Sequence, residues 1–436
     1  MRRWQALVIL GLLQAFSFLF PCSKSQSFIG VNYGEMADNL PPPSSSVTLL
    51  SSTTISKVRL YGTDAAIISA FAGTNISLLV GVSNGDIPSL ATSSSAAAAW
   101  VAANILPYVP ATTISFISVG NEVLNSADAS LPSQLLPAMQ NLLSALSANY
   151  PSIKISTVHT MAVMSQSDPP SAGAFHPDLA PNLDPILTFL QQTGSPFMIN
   201  PYPWFAYNSD PRPETLAFCL FQSNPGRVDS GSGLTYMNMF DAQLDAIRAA
   251  LDAKGFNDVE ILIAETGWPY KGDANEVGAT VENAQAYVGN LITHLKSMAG
   301  TPRVPGKSVD TYLFALYDED LKTGPTSERS FGLYKTDLTQ NYDAGLSKGA
   351  STPASLTPVS PTSDQTQGNS SSQPNKGETP TGWCVTAASS PGSGYVQPTS
   401  QCYMPNAVPS KQPRAHSSVI QFASTIFYIT LLWLGR

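Results

Sequence analysis

The chain has 436 residues, of which 43% are hydrophobic and 12% are charged, and its formal net charge is -8. This apolar content suffices for a large buried core, so the chain is not a small scaffold held together by disulfides. The low charge and acidic balance argue against nucleic acid or an anionic membrane surface as a partner. A neutral polymer suits this composition better.

The first residues have the layout of a secretory signal peptide. Met1–Arg3 is positively charged, Leu7–Phe20 is apolar, and small polar residues follow at 23–27. The apolar run is too short to span a bilayer, which disfavours a membrane anchor. We therefore expect residues 1–27 to be a signal peptide, the mature chain to begin near Phe28, and the protein to be secreted.

Between residues 28 and 346, eight short apolar or β-branched runs alternate with helix-like segments, which indicates a parallel sheet built from crossovers. This pattern predicts an α/β fold of the (β/α)8 TIM barrel type. A doubly wound open sheet is the alternative, but no Gly-x-Gly-x-x-Gly follows the first run. The predicted strands are Phe28–Tyr33, Lys57–Tyr61, Ser77–Val82, Ile114–Val119, Ile153–Val158, Phe197–Asn200, Val259–Ala264 and Val309–Leu316. The predicted crossover helices include Ala96–Val109, Pro132–Asn149, Asn238–Lys254 and Val277–Met298.

The composition changes after the predicted barrel. Residues 347–381 are rich in Ser, Thr and Pro without apolar periodicity, which predicts a disordered, O-glycosylated linker. Residues 382–410 form a short cysteine-containing stretch, and residues 411–436 end in an apolar segment. A polar spacer before an apolar terminus resembles a signal for a glycosylphosphatidylinositol anchor, although small residues at the three required positions are hard to find upstream. A short tail-anchored helix is the other interpretation.

The cysteines and glycosylation motifs fit a secreted protein. Cys384 and Cys402 are close enough in sequence to pair in the tail, and we expect Cys219 to be a buried apolar residue. Asn75 and Asn369 each begin an Asn-x-Ser/Thr acceptor for N-glycosylation. No Cys/His cluster has the spacing of a metal site, so we expect no metal and no other cofactor. We expect a monomer.

Two predicted strands end in a carboxylate. Glu122 lies in Ile117–Val123, and Glu265 lies in Val259–Pro269. A charged group that ends a buried strand is costly unless it works there, and the carboxyl ends of barrel strands form the active-site face. Two such carboxylates favour cleavage of a glycosidic bond, one as general acid and the other as nucleophile or base. In the alternative interpretation, Asn121 caps a helix and Glu122 is an early acidic residue.

Other polar and aromatic residues follow the predicted strand ends. Asn121 can hydrogen-bond the 2-hydroxyl of a sugar, and Trp268 offers an apolar face to a sugar ring. Aromatic side chains suit stacking on pyranose rings and amides bind hydroxyls, although any one of these residues alone is more often a packing residue. The remaining strand-end residues are Asn32, Tyr33, Tyr61, Asn84, Asn200, Tyr202 and Tyr317 with Glu319.

Several short motifs follow one another along the chain in a recognisable order. They are Ile29–Gly34, Val58–Tyr61, Val119–Glu122, Asn200–Pro203, Ala264–Pro269 and Tyr317–Gly324, followed by Glu328 and Phe331–Leu333. In this order they resemble the plant glucan endo-1,3-β-glucosidases of glycoside hydrolase family 17. The resemblance implies a (β/α)8 barrel, a retaining mechanism and a β-1,3-linked glucan such as callose as substrate.

The resemblance also implies roles for individual residues. Glu122 matches the proton donor of the family, and Glu265 matches its nucleophile. Four further residues match positions that support the substrate site, namely Glu319, Lys322, Glu328 and Phe331.

The chain departs from the family in two places. Tyr270 follows Trp-Pro where the family usually has Ser or Thr, which could narrow a subsite or add stacking to it. Gly382–Val385 and Gln401–Asn406 resemble fragments of carbohydrate-binding module family 43 whose middle is missing.

Together these patterns predict a secreted, retaining endo-hydrolase of β-1,3-glucan in the cell wall or extracellular space, with attachment to the outer face of the plasma membrane if the anchor signal works. A transglycosylase, in which a second glucan replaces water, is one alternative. A glucan-binding protein with little turnover is the other. Two intact carboxylates disfavour the binding protein, because binding alone would not need both.

Overall fold

The computed structural model describes residues 27–146 and 150–349. Eight parallel strands form a closed barrel in which sequence neighbours pair and the last strand pairs with the first. The predicted (β/α)8 TIM barrel is therefore confirmed. The barrel strands are β1 Ile29–Tyr33, β2 Lys57–Leu60, β3 Ser77–Val82, β4 Ile114–Asn121, β5 Lys154–Thr160, β6 Phe197–Asn200, β7 Ile261–Thr266 and β8 Asp310–Leu313.

Helices surround the barrel, and each of the four predicted crossover segments overlaps one. The α-helices are α1 Pro43–Ser51, α2 Ala65–Ala70, α3 Ile87–Thr92, α4 Ser94–Asn104, α5 Leu131–Leu146, α6 Ala180–Thr193, α7 Pro203–Ser209, α8 Pro213–Cys219, α9 Met239–Ala253 and α10 Val281–Ser297. The 3-10 turns are Asn84–Asp86, Val123–Asn125, Met161–Val163, Pro170–Ala172, Pro177–Leu179 and Thr326–Arg329. Two short antiparallel ribbons join Met164–Gln166 to Ala174–Phe175 and Arg227–Val228 to Thr235–Tyr236.

Polar side chains begin several of these helices. Ser93, Asn238 and Thr280 each accept a hydrogen bond from the backbone N–H three residues further on, at the starts of α4, α9 and α10. Asp64 does the same for α2. These contacts satisfy N–H groups that have no partner within the helix, so the sequence itself specifies where each helix begins.

The apolar core has two layers because the strands are buried on both faces. The side chains inside the barrel include Leu79, Met198 and Tyr312, and a larger layer lies between the strands and the helices. Along β7, Leu262 and Ala264 belong to the inner layer and Ile263 belongs to the outer one. Strands that are buried on both faces appear in sequence as continuous apolar runs, which is why the eight runs were recognisable.

A cavity of about 580 Å³ lies at the amino-terminal end of the barrel. Its lining includes Lys154 at the start of β5, Ile261 at the start of β7 and Asp310 at the start of β8. Glu122 and Glu265 are at the opposite ends of their strands. This cavity is therefore separate from the predicted site, and in this fold the amino-terminal face serves stability.

Several predictions fall on residues 1–26 and 350–436, outside the described residues. They are the signal peptide, nearly all of the linker, the module fragments with Cys384 and Cys402, Asn369 and the apolar tail. Asn75 is exposed in the loop before β3. Cys219 is fully buried and free, and its thiol donates to the carbonyl of Pro203. Among the described helices, none combines the length and apolar character needed to cross a membrane.

Gly81 in β3 has no room for a side chain. A Cβ there would lie 2.3 Å from the carbonyl oxygen of Tyr61, at the end of β2. We expect Gly81→Ala to lower the free energy of unfolding by about 1–3 kcal/mol through overpacking, as measured by urea denaturation. In the matched control, Gly289→Ala adds a Cβ in α10 where nothing beyond the adjacent helix backbone lies within 4 Å, so stability should rise. Equal stability of the two variants would contradict the close packing.

Candidate active site at the carboxyl end of the barrel

The pairing of both carboxylate-bearing strands becomes irregular near their ends. The register of β4 against β5 shifts between Ser118 and Asn121, and that of β7 against β8 shifts between Ile263 and Thr266. A bulge of this kind turns the next side chain away from regular alternation. Glu265 lies within the second irregularity, and its side chain is fully buried.

The turn after β4 is held by Asn84. Gly120 and Glu122 both have positive φ, at 68° and 57°. Between them, the N–H of Asn121 donates to Oδ1 of Asn84 at 2.8 Å, and the carbonyl of Asn121 accepts from Nδ2 at 3.1 Å. A Cβ on Gly120 would lie 2.4 Å from the side chain of Val123, so the turn requires glycine there. The backbone at Glu122 is thus held in a conformation that residues other than glycine rarely adopt.

Arg59 links four strands. Its Nη1 lies 2.5 Å from Oε1 of Glu265 and donates to Oδ1 of Asn32 at 3.0 Å. Its Nη2 donates to Oδ1 of Asn121 at 2.8 Å. The Asn121 amide oxygen therefore bonds Arg59 and does not cap a helix, so the helix-cap interpretation is wrong. Our prediction of site residues missed Arg59, although an arginine within the apolar run Val58–Leu60 was a detectable signal.

Both oxygens of Glu265 accept hydrogen bonds. The hydroxyl of Tyr61 donates to Oε1 at 2.8 Å and that of Tyr202 donates to Oε2 at 2.9 Å, in addition to the bond from Arg59. Burial and the neighbouring Glu265 raise the pKa of Tyr61 and of Tyr202 well above the ordinary value, so both phenols remain protonated donors. Charge-assisted bonds of this type stabilise an ionised carboxylate.

Glu122 has different surroundings. Nδ2 of Asn200, the last residue of β6, donates to Oε1 of Glu122 at 2.8 Å. The side chain is 3% exposed. Glu122 and Glu265 both act electrostatically on Arg59 and Tyr202. The two carboxylates therefore share one site, and a neutral amide contacts one of them while a cation contacts the other.

Glu319 and Lys322 form a buried pair beside the site. Nζ of Lys322 lies 2.7 Å from Oε2 of Glu319 and 4.4 Å from the ring centre of Phe314. The N–H of Met36 donates to Oε1 of Glu319 at 3.0 Å. The pair joins the loop after β8 to the loop after β1.

Glu328 lies near both carboxylates. Burial raises its pKa to about 7, the Lys322 ammonium opposes this shift, and the charges of Glu276, Glu265 and Glu122 add to it. Glu328 is thus close enough to Glu122 and Glu265 for their charges to act on it.

Two predicted sugar-contacting rings are buried elsewhere. Tyr33 is 1% exposed, and its hydroxyl lies 3.2 Å from Oγ of Ser46 on α1. Because Asn32 points into the barrel toward Arg59, the next residue along the strand faces outward. Tyr33 is therefore part of the layer between barrel and helix, and its ring has no free face for a sugar.

Trp268 is also enclosed. It is fully buried between the rings of Tyr207 and Tyr287, at centroid distances of 5.9 and 5.5 Å, and its Nε1 donates to the carbonyl of Gly278. We correct its role from stacking on sugar to packing. A solvent-exposed face, which sugar stacking requires, is missing at this position.

Phe331 and Tyr270 contribute from behind the site. Phe331 is 2% exposed and contacts the ring of Tyr202 edge to face at 5.9 Å, so it positions a residue that bonds Glu265. The hydroxyl of Tyr270 donates to Oδ2 of Asp318 at 2.5 Å. Tyr270, where the chain departs from the family, thus connects the loop after β7 to the loop after β8.

Comparison with known proteins agrees with this geometry. The sequence model of the glycosyl hydrolases family 17 matches residues 29–345. The chain belongs to this family. It is therefore a glycosidase, and the resemblance seen in the sequence is confirmed.

The curated relatives and solved structures agree on the family. Glucan endo-1,3-beta-glucosidase 7 of Arabidopsis thaliana is 53% identical over 420 residues, which cover 92% of this chain and 80% of that protein. A glucan endo-1,3-beta-D-glucosidase of Olea europaea is 51% identical, with 92% of this chain and 87% of that protein covered. CJP38, a beta-1,3-glucanase and allergen of Cryptomeria japonica pollen, is similar in structure, with a TM-score of 0.70 and 43% identity over 73% of this chain and 99% of that chain.

The ion pair between Arg59 and Glu265 can be tested by a double-mutant cycle. Arg59→Met should lower the free energy of unfolding by about 3–5 kcal/mol, because it leaves Glu265 buried without its cation. Adding Glu265→Gln removes that charge, so the double variant should be more stable than the sum of the two single losses implies. Urea unfolding of the four proteins measures this difference, and additive losses would show that the two groups are not coupled.

Glu328 should make stability depend on pH. The unfolded chain releases this proton near pH 4.3 and the folded chain near 7. The stability from the protonated form is therefore complete below about pH 4.3 and is lost as the pH rises to about 7. Glu328→Gln should lessen this loss in urea unfolding between pH 4 and pH 8. Glu282→Gln, at an exposed position on α10, is the control, and equal pH profiles of Glu328→Gln and the parent would contradict the shift.

Proposed function

We propose that this family 17 enzyme is a secreted, retaining endo-hydrolase of β-1,3-glucan, with Glu265 as nucleophile and Glu122 as general acid and base. The supporting observation is the difference between the two carboxylates. Glu265 accepts bonds from Arg59, Tyr61 and Tyr202, which favour an anion. Glu122 accepts a bond from the neutral amide of Asn200, which is compatible with a protonated acid. Different surroundings for two carboxyl groups separate their roles.

In the first step, Glu265 attacks the anomeric carbon and the glycosidic C–O bond breaks. Glu122 gives its proton to the departing oxygen, so the leaving glucan departs as an alcohol. Arg59 and the two tyrosines orient the attacking carboxylate and reduce its freedom before the reaction. A covalent glycosyl-enzyme remains.

In the second step, Glu122 is ionised and takes a proton from water. The water oxygen bonds to the anomeric carbon, and Glu265 leaves as a carboxylate. Two displacements restore the β configuration. Asn121 is half-buried and its oxygen is already bonded to Arg59, so its amide nitrogen is suited to donate to the 2-hydroxyl of the reacting sugar.

The names of the relatives support the substrate class. The proteins of Arabidopsis thaliana and Olea europaea are named as glucosidases that act within 1,3-β-glucan, and they align with over nine-tenths of this chain. We extend that substrate to this enzyme. The low overall charge of the chain suits a neutral polysaccharide.

Secretion is part of the proposal. The signal-like residues 1–27 and the exposed acceptor at Asn75 support an extracellular or cell-wall location. The apolar terminus at 411–436 supports attachment by a glycosylphosphatidylinositol anchor, and mass spectrometry of the mature carboxyl terminus tests it. We also propose a disulfide between Cys384 and Cys402 and N-glycosylation at Asn369.

Sizing the products from laminarin separates the three candidate activities. Hydrolysis gives shorter chains, transglycosylation also gives longer ones, and a binding protein leaves the chains unchanged. We expect shorter chains, with the first products in the β configuration by proton NMR. First products in the α configuration would contradict retention.

The roles of the two glutamates predict different chemistry in matched variants. Glu265→Gln should lower turnover at least about a thousandfold, because the nucleophile is lost. With an activated aryl β-glucoside and azide, Glu265→Gln should give the α-glycosyl azide by direct attack. Glu122→Gln should give the β-glycosyl azide, because the glycosyl-enzyme still forms.

The control is Glu260→Gln, which removes an exposed charge just before β7, the strand that carries Glu265. Its turnover should match that of the parent. Activity of Glu265→Gln within a few-fold of the parent would overturn the assignment. The same azide anomer from both variants would contradict the separate roles.

A further inference from the structure

The loop after β1 brings another carboxyl group, Glu35, beside the site. Its two neighbours both contact Glu319. A Cβ added to Gly34 would lie 2.2 Å from the carboxyl group of Glu319, and the N–H of Met36 donates to that group. Glu319 also acts electrostatically on Tyr61, which bonds Glu265. Glu35 is therefore at the edge of the proposed active site.

One oxygen of Glu35 is buried without a hydrogen-bond partner among the described residues. Burial of a polar atom without a partner costs about 1–3 kcal/mol. Such an atom gains stability when a ligand supplies the missing bond.

Burial and nearby negative charges favour the neutral form of Glu35. Burial, and then the negative charges of Asp64 and Glu319, raise its pKa to about 7. Asp64 caps α2, and Glu319 is paired with Lys322. A neutral carboxylic acid can donate one hydrogen bond and accept another, which matches a sugar hydroxyl.

An apolar rim adjoins Glu35. Met36 is 47% exposed and Leu321 is 54% exposed. The N–H of Leu321 donates to the carbonyl of Met36 at 3.1 Å, so the two residues are side by side across two loops. The C–H face of a pyranose ring is apolar and suits such a surface, whereas a free ion does not. No set of three or more His, Cys, Asp or Glu side chains within the described ranges is placed to hold a metal ion.

We infer that Glu35, Met36 and Leu321 form a binding subsite for one glucosyl unit of the glucan, on the side of the cleft formed by the loops after β1 and β8. Glu35 bonds a hydroxyl of that unit, and the apolar pair covers its ring. This inference rests on the proposed function, since it names where that same substrate is bound.

The test measures binding without turnover. In the Glu265→Gln background, calorimetry gives the Kd of a laminarin oligosaccharide. Adding Glu35→Ala should weaken binding about tenfold, the loss expected for one hydrogen bond to a buried group. Adding Glu35→Gln keeps a donor and an acceptor, so its Kd should remain close to that of the background. Asp38→Asn removes an exposed charge from the same loop and should leave the Kd unchanged.

A Kd for Glu35→Ala within twofold of the background would overturn the inference. Leu321→Ser tests the rim at an exposed position where folding is not at risk, and it should weaken binding by several fold. An unchanged Kd for Leu321→Ser would also overturn the subsite. Failure of the proposed function is distinguishable, because the unmodified enzyme would then not shorten laminarin.

Discussion

A buried cation organises the carboxyl end of this barrel. Arg59 is 2% exposed, and its guanidinium reaches Asn32, Asn121 and the carboxylate of Glu265. Burial of such a charge is costly unless an opposite charge and further acceptors surround it. Glu265 is equally dependent, because a fully buried carboxyl group needs partners that replace the water it has lost. Four strands must therefore keep their register for either group to be tolerated, and the proposed nucleophile acquires its orientation from the same contacts.

The backbone meets this requirement with local departures from regular structure. The irregularities in β4 and β7 and the left-handed residues Gly120 and Glu122 lie at the strand ends, where pairing can be given up at low cost. Asn84 replaces the lost backbone bonds of the turn after β4. As a result the two glutamates share one site but contact different groups, and this difference supports the separate roles of nucleophile and acid that we propose for them.

Much of the site was predictable from residues next to the carboxylates or at strand ends. Tyr61, Tyr202 and Asn200 bond the two glutamates, and Asn121 bonds their arginine. Trp268 was predicted from the same kind of position but packs between two other rings. Proximity in sequence places a residue near the cleft without deciding which way its side chain faces. For Tyr33 the alternation of the strand was sufficient to decide it, because Asn32 faces inward.

The sequence by itself determined the eight strands, the main crossover helices and the two glutamates, since apolar runs, capping residues and strand ends are local properties of the chain. Only the tertiary structure decided which groups meet. The bond between Arg59 and Glu265 joins residues 206 positions apart, and Glu35 comes to lie beside Glu319 from the opposite end of the barrel sequence. Burial and electrostatic contact depend on distances between such remote residues, and these distances exist only after the barrel has closed.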